Sequence, residues 1–325
     1  MLNTKNLVTS ERDIPSYWVF RYYLNISEEL TGQDLKIKSV WNPGERTASL
    51  CIYVDVKNKC YMYKDFSTGK GGNKINLIMD LFNLNYSGAL EKMIKDYNIY
   101  VKNNDVKIKT IKPEPRWQLE LIQNRPWNKD DAKYWLQYNI GSSMLNKYNV
   151  KPIDFYNLTK DHEGSIKKIK IQSSYLYGYY NSSGEVYKMY QPLNVKHKFY
   201  KVFSHIQGLD QLEYNQPYLT ITSSLKDAMC LKSFGYNLEV IAPDSENTII
   251  KPHVIENLKS KYKKIITLFD NDQAGTEAIA KYKKLYDING TSLDLNKDIS
   301  DSVKEHGVNT VHAKLKPLLS KTIHM

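Results

Sequence analysis

The sequence predicts an α+β unit at the N-terminus, followed by an α/β unit whose parallel sheet is flanked by helices. Three observations lead there. Apolar residues alternate with period two over 50–65 and recur at helical spacing over 74–97. A polar stretch with two prolines, VKNNDVKIKTIKPEPR (101–116), follows as the linker. From 218 onward, strand and helix patterns alternate one for one, as crossover connections between parallel strands require.

The elements follow in order. PSYWVFRYYLNI (15–26) reads as a short helix. LCIYVDVKNKCYMYKD (50–65) reads as a hairpin around Lys57-Asn58-Lys59. KINLIMDLFNL and SGALEKMIKDY read as consecutive helices, and KDDAKYWLQYN (129–139) as another that ends at Gly141. Between 164 and 214 the pattern is short strands, with NSSG (181–184) as a hairpin turn. YLTITSS, LEVIAP and KIITLFD are strands; LKDAMCLKSFG, HVIENLKSKY and AGTEAIAKYKKLY are helices.

The chain has 325 residues, enough for two or three domains, divided here as 1–100, 117–214 and 215–325. No run of about 18 apolar residues is present, so no membrane span is expected. MLNTKNLVTSERD has no apolar signal core, so a cytoplasmic location is expected. Cys51, Cys60 and Cys230 are scattered and suit reduced thiols. A formal net charge of +11 favours a polyanionic partner such as nucleic acid, although a solvated lysine-rich surface gives the same sum. The 26 tyrosines fit an A/T-rich coding sequence as well as base stacking.

The segment KKIITLFDNDQAGTEAIAKY (263–282) carries the strongest chemistry. A buried strand ends in Asp270-Asn271-Asp272, and ligands of parallel sheets bind at the carboxyl ends of strands. Two aspartates one residue apart suit Mg²⁺, which takes one or two carboxylates and completes its shell with water and phosphate. A polar turn uses the same residues. Asp227, in the first turn of the helix after YLTITSS, and Asp298 and Asp301, in LDLNKDISD, add acidic elements from the same α/β unit. A buried set of like charges needs a cation to offset it.

FDNDQAG, with TITSSLKDAMCL before it and NKDISD after it, resembles the TOPRIM domain of primases and topoisomerases, and phage-type DNA primases most of all. The resemblance implies catalytic roles for Asp270, Asp272 and Asp227. It also implies a Mg²⁺ or Mn²⁺ site formed by Asp270, Asp272, Asp227, Asp298 and Asp301. The family's first strand ends in Glu-Gly, and here those places hold Ser223 and Ser224. Glu246, in IAPDSENT at the next strand end, is the candidate replacement; Lys226 is a candidate contact to phosphate or to a carboxylate.

KMYQPLNVKHKFYKVFSHIQGLDQL (188–212) resembles the basic segment before TOPRIM in primase cores. It implies nucleotide or template contacts by Asn194, Lys196, Lys198 and Lys201. DAKYWLQYNIGSSMLNKYNV (131–150) resembles the helical element that opens such cores.

NPGERTASL (42–50) and YKDFSTGKGGNKINLIMDLF (63–82) resemble a primase zinc-binding domain in order and spacing. The ligand places hold Val40, Pro43, Asp65 and Thr68, a poor zinc set. The expectation is therefore a metal-free, zinc-ribbon-like domain with Trp41, Tyr63 and Phe66 in its core. Arg46, Lys64, Lys70 and Lys74 are its candidate DNA contacts. TGKGGNK lacks the spacing of a phosphate-binding P-loop, so the motor is expected on a separate replicative helicase.

The resemblance therefore implies a phage DNA primase working in a bacterial host, with single-stranded DNA and NTPs as partners. A TOPRIM nuclease and a non-catalytic, primase-like ssDNA-binding module are the alternatives. The missing zinc ligands and glutamate favour the module, and the four retained aspartates favour the enzyme.

Overall fold

The computed structural model describes residues 7–104, 116–162, 165–245 and 248–324. The chain divides into two units, Met1–Arg116 with Asp161–Ile166, and Trp117–Lys160 with Lys167–Met325.

The first unit is an antiparallel sheet covered by helices. Helix α1 (Ser16–Tyr23) precedes strands β1 (Leu35–Ile37), β2 (Leu50–Asp55), β3 (Cys60–Asp65) and β4 (Gly71–Gly72), paired in that order. The β2–β3 hairpin is in register from Leu50↔Asp65 to Asp55↔Cys60. Alternation puts Leu50, Ile52, Val54, Tyr61 and Tyr63 on one buried face. Burying each such side chain stabilises by roughly 1.5–3 kcal/mol. Helix α2 (Lys74–Phe82) starts at a capping box in which Asn73 and Asn76 satisfy each other's backbone N–H groups. Helix α3 (Tyr86–Asn103) packs on α2 through Ala89 and Met93.

Three expectations are corrected here. Residues 101–103 belong to α3, which shortens the linker from its start; 105–115 lie outside the described residues. Tyr63 is buried and Trp41 partly buried, but Phe66 is 49% exposed, because it follows the inward Asp65 at the strand end. Lys74 is no free DNA contact: its ammonium donates to the backbone oxygens of Glu11 and Ile14.

The second unit opens with β5 (Gln118–Asn124), α4 (Lys129–Leu136) and α5 (Ser142–Lys147). Strands β6 (Val150–His162), β7 (Ser165–Gln172), β8 (Tyr177–Tyr180), β9 (Val186–Tyr190) and β10 (Phe199–Lys201) join β5 in an antiparallel sheet. Its order is β10-β9-β8-β6-β5, with β7 paired to β6. Every residue of β8 and β9 is buried, including Lys188.

The remainder is α/β: β11 (Tyr218–Thr222), α6 (Leu225–Lys232), β12 (Leu238–Ile241), α7 (Pro252–Lys259), β13 (Lys264–Leu268), α8 (Gln273–Tyr286), β14 (Gly290–Thr291), α9 (Ile299–His306) and α10 (Val308–His324). The sheet is parallel throughout, in the order β12-β11-β13-β14. Both faces are covered, so the strands are largely apolar, broken by the buried Thr220, Thr222, Glu239 and Thr267. Val240, Ile266 and Leu268 pack with α6, α9 and α10, while Leu219, Ile221, Ile241 and Ile265 pack with α7 and α8. The first of these cores continues into Trp135, Tyr148, Tyr177, Tyr179 and Tyr190, which fixes the two sheets of this unit together.

Candidate active site

The carboxyl ends of β11 and β13 and the N-terminus of α9 converge on one crevice lined by Asp227, Asp270, Lys297 and Asp298. Asp270 follows β13 and is 5% exposed. Its backbone N–H donates to Ser223 Oγ at 3.1 Å, so the residue at the family's glutamate place braces the acidic turn. Asp272 is the N-cap of α8, its Oδ1 accepting from Gly275 N–H at 2.9 Å. A glycine is required there: a Cβ at 275 would lie 2.0 Å from the Asp270 carbonyl oxygen. The remaining oxygens of the pair face one cation. Lys297 Nζ lies 3.5 Å from Asp270 Oδ2 and 3.4 Å from Asp272 Oδ2.

Asp227 is buried in the first turn of α6, beside the N-cap Ser224. Ser300 Oγ is 2.7 Å from Asp227 Oδ1 and 2.7 Å from Asp298 Oδ1, so one hydroxyl links the two carboxyls. Asp298 caps α9, accepting the Asp301 N–H at 2.6 Å. Burial, and then the negative charge of Asp298, push the Asp227 carboxyl well above its ordinary range. Burial opposes ionisation of Asp298 as well, but the Lys226 ammonium and the Asp301 N–H outweigh it and hold Asp298 low. Lys226 pairs with Asp301 at 3.1 Å and lies 4.5 Å from the Tyr138 ring centroid. Burial disfavours its charge, and Asp227 and Asp298 more than restore it. Of its two expected contacts, Lys226 makes the one to a carboxylate.

Among the described residues no three or more His, Cys, Asp or Glu side chains are gathered so as to hold a metal ion by themselves. A Mg²⁺ site does not need one, since water and substrate phosphate supply most of the octahedron. The donor types suit a hard cation. Asp227, Asp270 and Asp298 line the crevice, and the Lys297 ammonium, half exposed on a flexible stem, joins Asp272 to Asp270.

Across Ser223 and Ser224 lies a second, basic pocket of about 400 Å³. Lys188 and Lys201 line it. Lys188 Nζ donates to the Asp244 carbonyl at 2.5 Å and to Gln207 Oε1 at 3.2 Å. Burial lowers the Lys188 pKa to about 8; Asp244 opposes the shift and Lys201 adds to it. Lys201 Nζ pairs with Asp244 Oδ2 at 2.9 Å.

Lys196 and Lys198 are exposed in the β9–β10 loop, where Asn194 Oδ1 receives the His197 N–H. Arg46 is exposed. Lys64 donates to Gly69 O at 2.6 Å, and Lys70 lies 3.4 Å from Asp80 Oδ1, so both are partly engaged within their own domain. Glu246 lies outside the described residues. Sequence reasoning missed Ser300, Lys188 and Asp244. Asp244 had the signal that found Asp270, an acid just past an apolar strand. Lys188 was the one cation in an apolar strand pattern, and Ser300 gave none.

Residues 42–109 match the family model described as CHC2 zinc finger, and residues 220–303 match the Toprim-like model. No curated protein matches. Among solved structures, the Aquifex aeolicus primase, zinc-binding and RNA polymerase domains, is 16% identical; the match covers 94% of this chain and 83% of that one, with a TM-score of 0.43. The primase fragment of the bacteriophage T7 primase-helicase protein is 12% identical over 88% of this chain and 99% of that one, with a TM-score of 0.37. A T7 lagging-strand polymerase complex with primase domains bound to an RNA/DNA hybrid and dTTP is 15% identical, over 60% and 95%, with a TM-score of 0.34. The chain therefore carries a segment of the CHC2 zinc-finger type followed by a Toprim-like segment. That pair of segments supports a DNA primase with a TOPRIM domain.

Proposed function

We propose that the chain makes short RNA primers on single-stranded DNA by metal-dependent nucleotidyl transfer. The observation that carries this reading is the acidic crevice set directly beside a lysine-lined pocket. Asp270 and Asp272 would hold the cation, and Asp227, Asp298 and Asp301 would be the neighbouring carboxyls that support it or a second ion. A bound Mg²⁺ or Mn²⁺ supplies charge neutralisation on the phosphates and activates the attacking oxygen. Lys188 and Lys201 receive the triphosphate, and Lys196, Lys198 and Asn194 track the template. The N-terminal domain reads the template through Arg46, Lys64 and Lys70, and folds without zinc. The working partner is a separate replicative helicase, and the working place is the cytoplasm of a phage-infected bacterium.

One feature favours a second reading. Lys297 lies within 3.5 Å of Asp270 and 3.4 Å of Asp272, so the pair already has a cation, which favours single-stranded DNA binding without catalysis. Template-dependent synthesis separates the two. Mixed-sequence ssDNA, labelled NTPs and Mg²⁺ or Mn²⁺ are incubated with wild type and with Asp270→Asn/Asp272→Asn. Short oligomers from the wild type alone are expected. DNA binding without product from either protein, with the helicase supplied, supports the binding module; degraded template supports a nuclease.

A further inference from the structure

The basic pocket contains an acid that the transfer chemistry leaves unused. Asp244 stands just beyond β12, its side chain 7% exposed. Its Oδ2 is taken by Lys201, and its Oδ1 has no hydrogen-bond donor among the described residues. A buried carboxylate oxygen without a donor costs free energy, and a ligand that brings one recovers it.

The rest of the wall limits what that ligand is. Phe199 offers a half-exposed ring, stacked on Tyr190 at 5.0 Å and 19°, as an apolar platform. Lys188 has hydrogen bonds to two acceptors, Gln207 Oε1 and the Asp244 carbonyl, for its three N–H groups, and Lys201 is half exposed. Phosphate goes to the lysines and to the acidic crevice across Ser223. It is repelled by Asp244, which therefore suits a neutral O–H. A volume of about 400 Å³ is in the range of small-ligand sites. Ring platform, phosphate cations and hydroxyl acceptor together describe a nucleotide. The topology agrees: ligands of parallel sheets bind outside the carboxyl ends of strands, where Asp244 stands beyond β12, and in dinucleotide-binding βαβ units an acid holds the ribose hydroxyl.

We propose that Asp244 accepts the ribose 2′-hydroxyl of the incoming nucleotide, so that this pocket selects ribonucleoside over deoxyribonucleoside triphosphates. The proposal rests on the primer-synthesis reading and names its substrate class. A hydroxyl donating to a charged oxygen gives discrimination of roughly tenfold to a hundredfold.

The test compares kcat/KM for ATP and dATP in wild type, Asp244→Ala and Asp244→Asn. Wild type is expected to prefer ATP by that factor. Asp244→Ala loses most of the preference through a fall in ATP use, with dATP falling much less. 2′-Fluoro-ATP, which has an acceptor and no donor, tests the wild type without any substitution and is expected to behave as dATP. Equal losses of ATP and dATP in the variants, 2′-fluoro-ATP used as well as ATP, or a penalty for 3′-deoxy-ATP in place of dATP would overturn the proposal. Calorimetric binding of ATP and dATP to the same proteins reads the pocket without turnover. Primers absent, with an ATP preference in binding that Asp244→Ala abolishes, would sink primer synthesis and keep the pocket assignment.

Discussion

Gly275 shows how narrowly the acidic turn is defined. Asp270, Asn271 and Asp272 can turn into α8 only because nothing projects from 275 toward the Asp270 carbonyl, 2.0 Å from where a Cβ would stand. Gly275→Ala must push that backbone aside, at a cost of about 1–3 kcal/mol. A lower melting temperature and loss of primer synthesis are expected, read by thermal denaturation and the template assay. Lys188 gives a pH prediction. Its folded pKa of about 8 lies below the ordinary lysine value of 10.5. The unfolded chain therefore holds that proton more tightly, and stability rises with pH between those values. Below about 8 the buried charge is fully destabilising. Against a Lys188→Met reference, wild type should gain relative stability from pH 7 to pH 9.5. Over the same range its affinity for triphosphate should fall, as its ammonium is lost.

At the scale of elements, the helix N-termini serve two purposes. Asp272 and Asp298 cap α8 and α9 while standing at the acidic crevice. Substitutions at 272 separate these roles. Asp272→Asn keeps a good cap and loses the charge, whereas Asp272→Ala also loses the cap, worth about 1 kcal/mol. Mg²⁺-dependent activity should fall in both, and the melting temperature mainly in the alanine variant. The elements that hold these residues were legible in the sequence because physics constrains them from two sides. β11, β12 and β13 are buried on both faces, so YLTIT, LEVI and KIITL are mostly apolar, with Thr220, Thr222, Glu239 and Thr267 as buried polar exceptions. Asp270 and Asp272 stand where such a run breaks. β7 was legible only as far as KKIKIQ, and the long β6 was not, since SIKKIKIQ is exposed at nearly every position and is held by pairing more than by burial. α10 carries Pro317 within its span, which hid its period. Ser300 was invisible for another reason: its role exists only where α9 meets α6, 73 residues away along the chain from Asp227.

For the whole molecule, the proposed metal-free reading sets the N-terminal unit apart from the zinc finger that residues 42–109 match. Val40 and Pro43 have no ligating side-chain atom. Asp65 is buried and accepts from Ser39 Oγ, from Ser67 Oγ at 2.7 Å and from Thr68 N–H at 3.0 Å. The unit packs around Trp18, Phe20 and Tyr63, with the Tyr63 hydroxyl donating to Asp80, and on the proposed reading this packing stands in for a metal. Elemental analysis of the purified chain should find no stoichiometric zinc, and a strong chelator should leave its thermal unfolding unchanged. A stoichiometric zinc whose removal melts the domain would overturn this. Helix α6 has a practical consequence. Leu225 through Leu231 are all buried, Lys226 and Asp227 among them, so the helix that carries one of the crevice carboxyls is also a central beam of its domain. A dead protein used as a laboratory control cannot be made there by truncation to alanine, which would confuse a silent enzyme with a broken one. Only an isostere such as Asp227→Asn leaves the beam standing.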